Sequence, residues 1–476
     1  MAELLLGLDA GTTSMGAGLF TPDGQLLAWV SRRLRSTSDG PGRLEQDPAA
    51  IWRAALAVMR GALAAAGRSA DDLAAIGVTS QRTSAMLWDR RNGRPLTPLV
   101  IWSDLRGAAR AQALRQEGFI VAPQQAAAKL EALVADVPED AAPHAAWGNI
   151  DSYLIFRLTG GAAHVTDRSQ AWPTGYLNLA TMGWNEALVA HQRLDPSLFP
   201  ALVDTWGPIG VTTRSVLGQP VPIAADIADQ QAALTAHDDG AGAVKVTLGT
   251  SATLDLATGT ELVLRDMTAP PFVVSHVDGD NRFCLEGMVY SAGAALDWVR
   301  TTLRLGDPAA FDHAAAVARD AGGVWFLPAL QGLGAPYGDS ARRGALGGLT
   351  LAADRGQIAR AALEGVAFRV REVFDHVLAL AGRTPPPALG VDGGLAGSDV
   401  FLQLQADLLG RPVRRHAIRE ATACGAAICA GRGVGLLGAG DAGAFVSYDR
   451  TFEPQISADE AIGRLTACKT SVYGGR

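Results

Sequence analysis

The stretch LLLGLDAGTTSMGAGLFTPDG, residues 4–24, decides how this chain begins to fold. Leu4 to Leu8 is a short apolar run ending at Asp9. Gly11-Thr12-Thr13-Ser14 follows, and a second apolar run spans Ala17 to Phe20. Thr21-Pro22-Asp23-Gly24 has turn chemistry, and Gln25 to Val30 reads as a third strand. The pattern predicts a β-hairpin whose first turn is rich in glycine and hydroxyl residues. Such a turn lets backbone N–H groups and hydroxyls approach a phosphate. Asp9, at a strand end, can hold Mg²⁺ directly or through water. An ordinary hairpin turn has the same composition, so the stretch alone leaves both readings open.

The device recurs at AVKVTLGTSATLDL, residues 243–256, where strand, Gly249-Thr250-Ser251 and strand follow in order. A chain that restarts its hairpin is expected to have two similar α/β halves, with a boundary near Asp238-Asp239-Gly240-Ala241-Gly242. Two facing halves would leave a cleft, the default place for a ligand. The expected division is 1–240, 241–445 and a C-terminal tail, 446–476, where the pattern fades. Between these limits Pro48 to Ala66 reads as a helix capped by Asp47, and Ala75 to Thr79 as a buried strand. Gln357 to Leu380 reads as an amphipathic helix. Leu389 to Val391 reads as a strand ending at Asp392-Gly393-Gly394, with Ser398 or Asp399 capping the helix Val400 to Leu409.

The chain has 476 residues, 48% hydrophobic and 19% charged, which excludes global disorder. Its 55 glycines show no collagen-like period. A net charge of −7 with no basic stripe argues against nucleic acid and against anionic membranes as partners. The opening apolar run is too short and glycine-broken for a signal peptide, and no stretch reaches the ~18 apolar residues of a membrane span. The four cysteines are scattered without a CxxC, which suits a reducing cytoplasm. A cytoplasmic protein is expected. GxxxxGK[ST] is absent, and the eight histidines show no metal-ligand spacing. Gly433 to Gly438 matches GxGxxG but follows a helix-like segment, so a structural role is expected.

Two polar groups remain. Asp226-Ile227-Ala228-Asp229-Gln230-Gln231 follows the strand-like Pro222 to Ala225, where a carboxylate would be a helix cap or a general base. Gln81-Arg82-Thr83 follows another buried strand and offers a charged fork to a polar substrate. The order of all these motifs resembles the FGGY family of carbohydrate kinases. The supporting segments include GLDAGTTS, RLEQDPAAIW, IGVTSQRTSAMLWD, VIWSDLR, ADIADQQAAL, LPALQGLGAPYGDSARRGALGGLT and VDGGLAGSDVFLQLQADLLG. The resemblance covers about residues 3–440 and is nearest to glycerol kinases.

The resemblance implies an α/β fold of two ribonuclease H-like (actin-like ATPase) domains flanking a central cleft, the first binding substrate and the second nucleotide. It implies transfer of the ATP γ-phosphate, with Mg²⁺, to a primary hydroxyl of a small polyol or ketose. Asp229 matches the general base and Asp9 the residue assisting Mg²⁺. Thr12, Thr13 and Ser14 match the first phosphate loop and Thr250 the second. Gly293, Gly394 and Ser398 match nucleotide-contacting positions. Arg82, Thr83, Trp102, Gln124, Asp229 and Gln230 match substrate-binding positions. Some residues depart from the glycerol-kinase pattern. Thr83 stands where a glutamate is usual, Gln124 replaces a tyrosine and Thr253 a phenylalanine. Gly16 replaces an arginine that reaches toward the phosphates. These departures imply an altered substrate pocket. The alternatives are a xylulokinase-like ketopentose kinase and a non-catalytic nucleotide- or sugar-sensing relative. A homodimer or higher homo-oligomer is expected.

Overall fold

The computed structural model describes residues 3–238, 240–438 and 440–474. Asp239, within the expected boundary, lies outside the described residues. The chain divides into two compact units. The first takes in residues up to Ala236, together with Phe272–Arg282 and Thr422–Phe445. The second takes in His237–Pro271, Phe283–Ala421 and the residues from Val446 onward. Sequence patterning located the restart near residue 240. It carries no mark for the two shorter segments that return to the first unit.

In the first unit, β1 (Leu4–Ala10), β2 (Ser14–Phe20) and β3 (Leu26–Arg33) form the expected antiparallel hairpins. Helix α1 (Pro48–Ala65) starts where Asp47 accepts a hydrogen bond from Ala49 N, with proline in the first turn. Its buried face carries Ile51, Ala55, Val58, Met59 and Ala62, packed in one core with Leu6, Leu8 and Ile76. β4 (Leu73–Ser80), β5 (Trp206–Val211) and β6 (Pro222–Ala228) complete a sheet of order β5-β6-β4-β1-β2-β3. β1, β4 and β6 are parallel, and their last residues, Ala10, Ser80 and Ala228, stand in register. Helix α2 (Asp229–His237) follows β6 with no intervening loop.

The second unit repeats this plan. β7 (Val244–Leu248), β8 (Ala252–Gly259) and β9 (Asp280–Val289) are antiparallel neighbours. Helices α3 (Gly293–Thr302) and α4 (Arg355–Ala381) come next, α4 opening on a capping box between Asp354 and Gln357. β10 (Leu389–Asp392) and, after α5 (Asp399–Leu409), β11 (Val413–His416) add in parallel to β7. β12 (Tyr448–Phe452) then pairs antiparallel with β11. Six of the seven strands of this sheet, in the order β9-β8-β7-β10-β11-β12, reproduce the order of the first sheet. Residues 446–476, expected to be a tail, therefore supply the edge strand β12 and helix α6 (Ala458–Tyr473). The sequence hides β12 because Asp449, Arg450 and Thr451 are exposed and only Phe452 is buried. An edge strand of this kind lacks the apolar alternation that marks an inner one.

Small residues set how closely helices approach the first sheet. The helix Ala421–Gly433 lies directly against β1 and β4. A Cβ at Gly7 would lie 1.9 Å from Ala423 O, and one at Gly77 would lie 2.0 Å from Ala426 O. Neither neighbour can yield, because both are helix backbone. Gly77→Ala is expected to destabilise the protein by about 2 kcal/mol or more in urea unfolding. Gly463→Ala, in α6 with nothing within 4 Å of the new methyl, is expected to gain about 0.5–1 kcal/mol.

Candidate functional site

Three adjacent parallel strands end side by side in the first unit, and each hands over to polar residues. Ala10 leads to Gly11-Thr12-Thr13-Ser14, Ser80 to Gln81-Arg82-Thr83, and Ala228 to Asp229-Gln230. The carboxyl ends of such strands are where open α/β sheets bind ligands. Asp229 is the first residue of α2, and its Oδ1 accepts from Gln230 N at 2.8 Å. Arg82 Nε lies 3.3 Å from Asp229 Oδ1, and the two side chains are only 12% and 23% exposed. The Arg82 guanidinium also stacks 4.5 Å from the Phe272 ring centroid. The carboxylate thus has a fixed orientation, with one edge held by a cation that is itself held by a ring.

Thr83 adopts φ 60°, left-handed backbone that a β-branched residue rarely enters. Such strain costs about 1–3 kcal/mol and persists where surrounding structure imposes it. The Thr83 hydroxyl is buried and has no hydrogen-bond partner among the described residues. Thr12 ties the first turn to this group. Its Oγ1 donates to Gln81 Oε1 at 3.1 Å and accepts from Trp102 Nε1 at 2.9 Å, and Gln46 Nε2 donates to Thr12 O at 2.7 Å. Lys129 braces the Trp102 segment by donating from Nζ to Ile101 O at 3.0 Å. Burial pushes the Lys129 ammonium down to about 8. Gln124 is exposed in the turn after Val121.

Asp9 is half-buried at the end of β1, paired in register with Gly16 and Thr79. Thr13 is exposed beside it and Ser14 begins β2. This set of one carboxylate, three hydroxyls and a glycine turn fits Mg²⁺ and phosphate oxygens, which take hard oxygen ligands and N–H donors.

The second unit presents a matching arrangement at the ends of β7 and β10, where Thr247 and Asp392 stand in register. Gly249 O accepts from Gly293 N, and Thr250 O accepts from Ala292 N and Ala294 N. The turn therefore seats the start of α3, and Thr250 is exposed at its tip. A Cβ at Gly293 would lie 2.5 Å from Gly249 O. Gly393 has φ 88°, and a Cβ there would lie 2.6 Å from Leu248 O. Gly394 is exposed with open space where a Cβ would point. This glycine-lined surface fits a nucleotide, which needs close backbone approach. Ser398 caps α5 by accepting from Phe401 N at 3.1 Å. Below the turn, Asp392 is buried against His237 at 2.9 Å.

Family models fall on both units. One for the N-terminal domain of the FGGY family of carbohydrate kinases matches residues 4–236, and one for its C-terminal domain matches 244–434. The chain belongs to the FGGY family of carbohydrate kinases. It is 39% identical to a glycerol kinase of Thermus brockianus over 469 residues, 95% of this chain and 94% of that one. It is 40% identical to a glycerol kinase of Gloeobacter violaceus, over 91% of this chain and 89% of that one. The fold matches a Plasmodium falciparum glycerol kinase crystallised with ADP, at TM-score 0.89 and 24% identity, covering 98% and 97% of the two chains. A xylulose kinase from Rhodospirillum rubrum matches at TM-score 0.83 and 28% identity, covering 99% and 98%. The expected α/β, actin-like architecture holds, and this FGGY chain is a phosphotransferase of the ATP- and Mg²⁺-using carbohydrate kinase class. Among the described residues, no helix is long and apolar enough to cross a membrane.

Some of the site was not legible in the sequence of this FGGY kinase. Phe272 lies far from Arg82 along the chain and carries no motif. Gln46 was visible only within the segment RLEQDPAAIW, without a role. Asp226, expected at a strand exit, is fully buried inside β6, which runs on to Ala228. Gly16 has a physical explanation. A Cβ there would lie 2.1 Å from the Trp29 indole, which covers the face where an arginine would stand. Gly16→Arg alone is expected to destabilise the chain by about 1–3 kcal/mol through overpacking. Adding Trp29→Ala should recover much of that loss, as a thermal melt of the two variants would show.

Proposed function

We propose that this kinase transfers the γ-phosphoryl group of ATP to a primary hydroxyl of a small polyol or ketose, with Asp229 as general base. The observation that carries the reading is the Arg82–Asp229 pair, placed where three strand ends align. When bound, Mg·ATP supplies the transferable phosphoryl group and neutralises part of its charge. Thr12, Thr13 and Ser14 would hold phosphate oxygens in the first unit, with Asp9 toward Mg²⁺. Thr250, Gly293, Gly394 and Ser398 would hold the nucleotide in the second. Asp229 accepts the proton as the hydroxyl oxygen attacks phosphorus. Arg82 keeps the accepting carboxylate in place. Trp102, Gln230 and Thr83 bound the substrate, and Gln124 is its outermost contact.

Thr83 supports a neutral, hydroxyl-rich substrate. Its buried hydroxyl can both donate and accept, whereas a carboxylate only accepts. Glycerol, the substrate named for the similar relatives, remains in the proposed class together with larger polyols and ketopentoses. A cytoplasmic homodimer or higher homo-oligomer belongs to the same proposal.

An ADP-release screen over glycerol, larger polyols, ketopentoses and ketohexoses should find at least one acceptor. With that acceptor, Asp229→Asn is expected to lower kcat by roughly 10²–10⁴-fold while leaving ATP affinity nearly unchanged. Turnover equal to wild type in Asp229→Asn would overturn the base assignment. Binding of acceptor and ATP without turnover over the whole panel would favour the sensing alternative.

A further inference from the structure

Three carboxyls, Asp151, Asp167 and Asp226, are fully buried in the first unit. Among the described residues, none has a lysine, arginine or histidine as a hydrogen-bonding or ion-pairing partner. Arg168, the nearest cation in sequence, donates instead to Met182 O at 2.9 Å and Val203 O at 3.0 Å. Nor does any group of three acidic, histidine or cysteine residues converge as metal ligands would, among the described residues. Three uncompensated buried anions are not a stable arrangement.

Asp167 is the best solvated by donors. It accepts from Ser169 N, Ser169 Oγ, Gln170 N and Thr205 Oγ1 at 2.8–3.0 Å, although burial still pushes it up to about 6. Asp151 and Asp226 differ. Their carboxyls are within hydrogen-bonding reach of each other. Asp151 Oδ2 accepts from Thr166 Oγ1 at 2.7 Å, and Asp226 Oδ2 accepts from Asp167 N at 2.9 Å. The Oδ1 atom of each is buried with no donor. A single proton between the two carboxyls would supply the donor that the pair lacks, and it would halve the charge of the pair. Burial raises both groups, and the charges of Asp151 and Asp167 raise Asp226 further.

The pair connects to the site through the backbone. Asp167 links Asp226 to Ser169, and Ser169 Oγ accepts from Ala228 N at 2.8 Å, one residue before Asp229. Gln170 Nε2 also donates to Ile227 O at 3.3 Å.

We propose that Asp151 and Asp226 share one proton at neutral pH and act as positioning residues that fix the peptide presenting Asp229. The positioning part rests on the general-base reading above; the shared proton does not. Carboxyls raised in the folded state contribute stability that is complete below about pH 4 and is lost as pH rises through the raised value. Asp226→Asn keeps every hydrogen bond without the proton, since its amide can donate to Asp151 and accept from Asp167 N. The Tm advantage of wild type over Asp226→Asn should therefore shrink steadily as pH rises above about 4. Infrared spectra at pH 7 should show a protonated-carboxyl C=O band that disappears in both Asp226→Asn and Asp151→Asn. Asp226→Ala should lower kcat by roughly 10–100-fold with KM for the acceptor little changed, and Asp226→Asn should recover most of that loss. Parallel Tm curves with no acid band in wild type would overturn the shared proton. An Asp226→Ala enzyme with wild-type kcat would overturn the positioning role. If Asp229→Asn proves fully active, the base assignment fails, while the infrared and thermal results still report on the proton.

Discussion

The site depends on the alignment of three parallel strand ends. Ala10, Ser80 and Ala228 are held in register by the ladders between β1, β4 and β6. A sheet spacing of about 4.8 Å then sets the distance between whatever follows each strand. Threonine and serine hydroxyls, a guanidinium and a carboxylate follow, so a register slip in any ladder would scatter all of them at once. The helix Ala421–Gly433 protects this register. It packs against Gly7 and Gly77 closely enough that no side chain could intervene.

The second unit uses the same construction for a different purpose. Six strands of its sheet keep the same order, and Thr247 and Asp392 stand in register near the ends of β7 and β10. Glycines at 293, 393 and 394 replace the charged residues of the first unit. In the proposed reading, one construction presents charge for chemistry and the other bare backbone for a nucleotide. The buried His237–Asp392 pair sits at the end of β10, and in the first unit the buried Asp226 sits near the end of β6.

Much of this was legible in the sequence, for physical reasons. Hairpins joined by glycine and hydroxyl residues announce themselves locally, so Asp9 to Ser14 and Gly249 to Ser251 could be found by inspection. Asp229 could be placed because a strand passes straight into an alanine-rich helix. The two chain segments that return to the first unit were not legible, since they depend on long-range packing. β12 escaped because an exposed edge strand needs no apolar pattern. Phe272 beneath Arg82 and Trp29 over Gly16 escaped because each contact is made in three dimensions between residues with no shared motif. The missing side chain at Gly16 reads in sequence as a lost phosphate contact. In the structure it is also the space that an indole fills.

The aligned strand ends are proposed to support transfer of phosphoryl to an alcohol, in preference to water. Phosphorus NMR of the wild-type protein with Mg·ATP and the acceptor identified by screening tests this most directly. ADP and a primary-alcohol phosphate monoester are expected in equal amounts. ADP accumulating with free inorganic phosphate and no monoester would contradict the proposal.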